Sequence, residues 1–237
     1  MSAPQIASVE DSRTESSGAL KRSIVAAFRE MVLDPLFPCL GAKSAVHLGH
    51  YSLQVYGSLG SDLNVAALTR DIAEFSATSP PSSTALSSFV AVFPDDPPNT
   101  EAAFERRLWK ELQLIHEQDA RDYAWTREAA ADPEDAKFSF SVSGRAFFVV
   151  GIHPHSSRLA RRFSWPALVF NPHSQFMHLR DTGRFDGLRS AIRARDLNLQ
   201  GSPNPNLADF GESSEARQYS GRATPAEWKC PFHRKKD

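Results

Sequence analysis

The sequence predicts an α+β fold: a single domain with a mixed or antiparallel sheet flanked by helices and an irregular C-terminal tail. Three observations carry this. Apolar residues recur at helical spacing in several separate stretches, and short alternating or wholly apolar runs bounded by turn residues mark strands near residues 50, 86, 138, 146 and 166. From Gln200 onward Pro, Asn, Gly and Ser dominate without periodicity. A chain of 237 residues, 41% of them hydrophobic, has enough material for one substantial core.

Residues 1–18 contain Ser and Glu but no apolar core, and are expected to be a disordered lead-in to a domain over 19–237. Leu20, Ile24, Ala27, Phe28 and Met31 then recur at helical spacing until Pro35 stops the run. A second helix begins within 37–47, and Leu53, Val55 and Tyr56 form a short strand. Asp62 caps a helix carrying Val65, Leu68, Ile72 and Phe75, which ends before the Pro/Ser loop at 79–83. Leu86 to Phe93 reads as a strand broken by the acidic, proline-containing stretch that follows.

Phe104, Leu108, Leu112 and Ile115 make one stripe of the clearest helix, from about Thr100 to Asp119, although its start lacks a complete capping box. A hairpin follows: Phe138 to Val142 alternates with period two, Ser143-Gly144 turns, and Ala146 to Gly151 returns. The returning strand is apolar on both faces and should be central. Ala167 to Phe170 is the next strand, and Gly183 to Leu197 reads as a helix on Phe185, Leu188 and Ile192. Trp228 and Phe232 are too apolar to be left exposed, so the tail should wrap over the domain.

Charge is divided along the chain. Residues 1–143 hold 12 Lys+Arg against 20 Asp+Glu, whereas 144–237 hold 15 against 8. Opposite signs favour internal pairing or a basic cavity for an anionic ligand, and the near-neutral total argues against a nucleic-acid partner. Two cysteines 191 positions apart make neither a disulfide framework nor a four-cysteine zinc pattern, which points to a reducing, cytoplasmic compartment. No run approaches the roughly 18 apolar residues of a membrane span.

Chemistry concentrates in three places. In Phe37-Pro38-Cys39-Leu40-Gly41 the thiol falls at or near a helix N-terminus, where unpaired N–H groups and the helix dipole favour a thiolate able to act as nucleophile or metal ligand. The plain alternative is a cysteine packed as a small hydrophobe. His116 and Asp119 lie one turn apart near a helix C-terminus, either as surface groups or as an imidazole with its orienting carboxylate. His153-Pro154-His155 and the following Ser156, Ser157, Arg158, Arg161 and Arg162 combine histidines with a candidate anion site, the alternative being a solvated basic loop. Histidines two apart on an extended segment share a face, so His153, His155 and His173 also make a candidate three-histidine metal centre.

These segments, taken in order, resemble a known family. Phe37-Pro38-Cys39, Phe138-Ser139-Phe140-Ser141, His153-Pro154 with 156–163, and Leu168-Val169-Phe170-Asn171-Pro172-His173-Ser174-Gln175-Phe176 look like the YqcI/YcgG family. The pattern continues through Arg195-Asp196, Asn204-Pro205, 209–212, 215–221 and Trp228-Lys229-Cys230-Pro231-Phe232, so that it covers roughly residues 20 to 233. Met177 departs from it, because an acidic residue is usual there, and this puts an arginine substrate in doubt.

The resemblance implies a heme-dependent N-oxygenase. Such an enzyme would hold heme b and its iron, use dioxygen or peroxide, and hydroxylate a guanidine or amine nitrogen of an arginine-like small molecule in a natural-product pathway, drawing electrons from a transfer partner. Cys39 followed by Leu40-Gly41 resembles the surroundings of heme thiolates and is the first choice of axial ligand. His153, His116 and Cys230 are alternatives, with Arg158, Arg161 and Arg162 for the propionates. Asp119, Asp196 and Glu215 are candidate substrate carboxylates, and Tyr219 a candidate donor to bound oxygen. A non-catalytic heme carrier or redox sensor, and a histidine-ligated non-heme metal enzyme, fit the same residues.

Overall fold

A computed structural model describes residues 5–78, 85–206 and 211–234. The opening helix, α1 (Gln5–Leu33), starts well before the expected position near Leu20, so the backbone is helical over much of the stretch expected to be a disordered lead-in. α2 (Leu40–His47) follows directly on Cys39. β1 (Tyr51–Val55), α3 (Asp62–Thr78) and β2 (Ser88–Val92) form a strand–helix–strand unit whose strands are parallel, as a connection long enough to hold a helix allows. The loop expected at 79–83 lies outside the described residues.

α4 (Glu101–Asp119) begins where Thr100 Oγ1 accepts the Ala103 N–H at 3.1 Å. β3 (Phe140–Val142) and β4 (Arg145–Ile152) make the expected hairpin about Ser143-Gly144. A one-turn 3-10 helix at Leu159–Arg161 precedes β5 (Ala167–Pro172). Then come α5 (His173–Asp181), α6 (Phe185–Gln200) and the single turn α7 (Ala216–Tyr219). α5 was not anticipated, and the part of the pattern at 209–210 lies outside the described residues.

The sheet order is β1-β2-β5-β4-β3, parallel between β1 and β2 and antiparallel elsewhere, which settles the expected mixed sheet. β5 is the middle strand. β4 lies one place out, yet both its faces are apolar because each is covered. Phe147 and Val149 enter a core with Leu108, Leu112 and Ile115 of α4, while Ile152 and the half-buried Val150 belong to a second core with Ile24, Phe28 and Val32 of α1. The tail closes the first core as expected: Phe232 is buried among Trp125, Phe138 and Phe140, and Trp228 leans on Trp109.

Candidate functional site

On the face of the sheet covered by α1, α2 and α6 there is a cavity of about 260 Å³. Alternate residues of the strands form its floor: Phe148, Val150 and Ile152 from β4, and Val169 and Asn171 from β5. Phe28, Met31 and Val32 of α1 wall one side, while Arg161, Arg193, Asp196, Asn204 and Gln218 make the opposite part polar. Cys39 stands on this wall.

Its position follows from the local sequence. Cys39 is extended, with φ −78° and ψ 98°, and α2 starts at the next residue. The sulfur therefore acts as the N-cap, with Sγ accepting the Ala42 N–H at 3.4 Å. Burial pushes the thiol up, and the N–H groups of Ala42 and Gly41 together with the Arg161 charge pull it back. The position expected from the sequence, a thiol at a helix N-terminus, is borne out by this geometry, but the expected lowering is not: burial outweighs the N–H groups and Arg161, and the thiol is held above its usual range.

The other candidate residues divide. Arg161 joins Cys39 on the cavity wall, and its guanidinium donates to the carbonyls of Gly151 at 3.3 Å and Tyr219 at 3.1 Å. Burial brings it down to about 10, so it remains a cation at neutral pH. Arg158 and Arg162 do not line the cavity. Arg158 pairs with Asp196 at 2.5 Å, and Arg162 donates to the Ser156 carbonyl at 2.8 Å. Of the three carboxylates considered for a substrate, Asp196 alone lines this cavity. Glu215 instead accepts from the Ser139 hydroxyl at 2.7 Å and lies 3.5 Å from His173.

His116 and Asp119 are on the far side of the sheet. The His116 ring stands edge-on to Trp125 and Phe232 in the aromatic core, and Asp119 accepts the Ser143 N–H, tying the β3–β4 turn to α4. Asp119 is pushed up to about 6, chiefly by burial. Cys230 also packs there, with burial raising its thiol to about 12. His153 is fully buried and stacked on Phe104 at 4.1 Å, with no hydrogen-bond partner at either ring nitrogen.

His155 is exposed, so His153 and His155 do not share a face: the chain turns at Pro154-His155 instead of continuing as an extended strand. Among the described residues no three His, Cys, Asp or Glu side chains converge as a metal-holding group. Met177, where the family pattern was expected to carry an acid, is 41% exposed and is not part of the cavity wall.

Tyr219 has a structural position. Its fully buried hydroxyl accepts the Phe140 N–H at 3.0 Å and donates to the Phe147 carbonyl at 3.2 Å, bridging β3 and β4. Tyr219→Phe should lower stability by about 1–3 kcal/mol, because the Phe140 N–H is left buried without an acceptor. Urea unfolding measures this, and an unchanged midpoint would show that water or a shifted backbone replaces the bond.

The YqcI/YcgG family matches residues 28–233, which contain the cavity and nearly all of the sheet-bearing domain. The chain belongs to the YqcI/YcgG family. Two relatives from Bacillus subtilis (strain 168) carry only the name of uncharacterized proteins. YcgG is 26% identical over 211 residues, 83% of this chain and 80% of the relative. YqcI is 28% identical over 140 residues, 56% of this chain and 54% of the relative. No solved structure matches the chain. No described helix is long and apolar enough to cross a membrane.

Sequence reasoning did not single out Arg193, Gln218, Asn171 or Asn204 as wall residues, although the last three stood within the family pattern. For Asn171 a signal was present: it lies two residues after Val169 in β5 and so shares its face.

Proposed function

We propose that this protein is a heme-dependent N-oxygenase acting on a guanidine or amine nitrogen of an arginine-like small molecule, with Cys39 as the residue that would hold the heme iron. The observation that carries the reading is the Cys39 thiol at the N-cap of α2, on the wall of a largely apolar cavity. The residues present fit the group. Cys39 offers a soft donor already held by the Ala42 N–H, Phe28, Val32 and Val150 offer apolar walls, and Arg161 and Arg193 offer cations for propionates. At about 260 Å³ the space lies just below the ~300–1,000 Å³ of ligand sites, so a macrocycle requires the α6 side to draw back.

Bound heme would supply dioxygen activation: one oxygen atom enters the substrate N–H bond, and the other leaves as water with two electrons and two protons delivered from a transfer partner. The chain itself would hold the Cys39 sulfur by the Ala42 N–H, offer apolar side chains along one part of the cavity, and present Asp196 toward a cationic substrate. A role in a natural-product pathway follows from the same family resemblance.

The test is an absorption spectrum of protein expressed with heme precursor, reduced and exposed to carbon monoxide. Wild type should give the red-shifted Soret band of a thiolate heme, and Cys39→Ala should lose it. An imidazole-type spectrum unchanged by the substitution, or no heme uptake, overturns the assignment.

A further inference from the structure

α6 is attached unlike the other long helices. No residue of α6 is buried, whereas α4 buries nine, including Phe104, Leu108 and Leu112. Yet Ile192, Arg193 and Asp196 of α6 line the cavity. The helix is fastened largely by polar contacts. Arg195 donates to the Phe37 carbonyl at 3.1 Å and to that of Pro35, Gln200 exchanges hydrogen bonds with Leu159 N and Ser157 O, and Arg158 pairs with Asp196. Left-handed glycines bracket it, Gly183 at φ 68° and Gly201 at φ 75°, each with open space where a side chain would be. A helix between two such positions, with little apolar burial, is the element that opens at least cost.

Asp196 has two roles in this arrangement. It lines the cavity, and it holds the guanidinium of Arg158, which also donates to the Ser202 and Pro203 carbonyls and so ties the loop before the 3-10 helix to the segment after α6. The group that can replace Arg158 on a carboxylate is one of the same chemistry.

We propose that α6 is a lid over the cavity and that the Asp196–Arg158 pair is its latch, released when the guanidinium or ammonium of a ligand takes the place of Arg158 on Asp196. The proposal rests on the cavity being the ligand site assigned above, but not on heme. Arg158 then acts as an internal competitor. It satisfies Asp196 while the cavity is empty, and it weakens ligand binding by the free energy of the pair that must be broken.

Titration calorimetry with L-arginine and agmatine, and with L-citrulline as a neutral counterpart, tests the exchange. The cations should bind and citrulline should not, Asp196→Asn should abolish binding, and Arg158→Met should tighten it by about tenfold. Improved affinity on removing Arg158 is a result that a merely structural pair would not give. Hydrogen exchange measured by mass spectrometry supplies the second readout. In Asp196→Asn the α6 peptides should exchange about tenfold faster while β4 and β5 remain protected.

Weaker binding in Arg158→Met, binding of none of the cations, or α6 exchange unchanged in Asp196→Asn overturns the latch. The carbon-monoxide spectrum separates the two readings: no thiolate Soret band in wild type, or a spectrum unchanged in Cys39→Ala, with the arginine titration intact, removes the oxygenase assignment and leaves the lid standing.

Discussion

His153→Phe is expected to raise stability at pH 5 by about 2 kcal/mol more than it does at pH 8. The imidazole is fully buried and stacked on Phe104, and burial brings it down from 6.5 to about 4, with His155 and Arg161 acting in the same direction and Glu101 opposing them. The unfolded chain therefore binds a proton that the folded chain refuses. The stability associated with the neutral ring is fully present above 6.5 and is lost as the pH falls toward about 4.

Phenylalanine keeps an aromatic ring on Phe104 and removes both the titration and two ring nitrogens that have no partner. Urea unfolding of wild type and variant at the two pH values gives the difference. An identical pH dependence would show that the nitrogens are satisfied and the ring does not titrate in this window. The variant also bears on the site: His153 lies outside the cavity wall, so the thiolate spectrum expected from Cys39 should persist in it.

The fold was legible where one local signal sufficed. The α4 stripe, the period-two hairpin about Ser143-Gly144 and the proline after α1 each act within a few residues, and the structure follows them. α5 escaped because it starts directly after Pro172, has no side-chain cap and presents only a short polar run, His173–Asp181, in which burial of His173, Gln175 and Leu179 is decided by neighbours distant in sequence. The apolar character of β4 was read correctly, but as evidence of a central strand. Covering by α4 on one face and by α1 on the other gives the same pattern one place away from the centre.

The site divides along the same line. Cys39 was legible because an N-cap is set by adjacent residues. That Arg161 and Asp196 meet it, while Arg158 serves Asp196 and Tyr219 bridges two strands, depends on elements far apart in the chain, the nearest of these pairs being 38 residues apart. Spacing alone made the three arginines look equivalent. Their partners distinguish them: backbone carbonyls for Arg161, a carboxylate for Arg158, and the Ser156 carbonyl for Arg162.

A second large effect is expected at Glu111, with the opposite sign of pH dependence. Its carboxyl is fully buried on α4, where Oε2 accepts the Gly60 N–H at 2.6 Å and Oε1 has no hydrogen-bond partner. Burial raises it from 4.5 to about 7 against the pull of the Gly60 N–H, Asn64 and Lys110. Here the folded chain holds a proton that the unfolded chain releases, so the associated stability is fully present below 4.5 and is lost as the pH rises through about 7.

Wild type should lose about 2.5 kcal/mol from this group between pH 5 and pH 8, and Glu111→Gln should remove that loss while retaining an acceptor for Gly60. Urea midpoints at the two pH values measure it. Asp119, raised from 3.8 to about 6, leaves a smaller slope of the same sign below pH 6 in both proteins. If Glu111→Gln still falls as steeply as wild type, the N–H groups of the β1–α3 connection already hold Glu111 as an anion, and that connection is anchored to α4 by a charge-assisted bond instead of a neutral one.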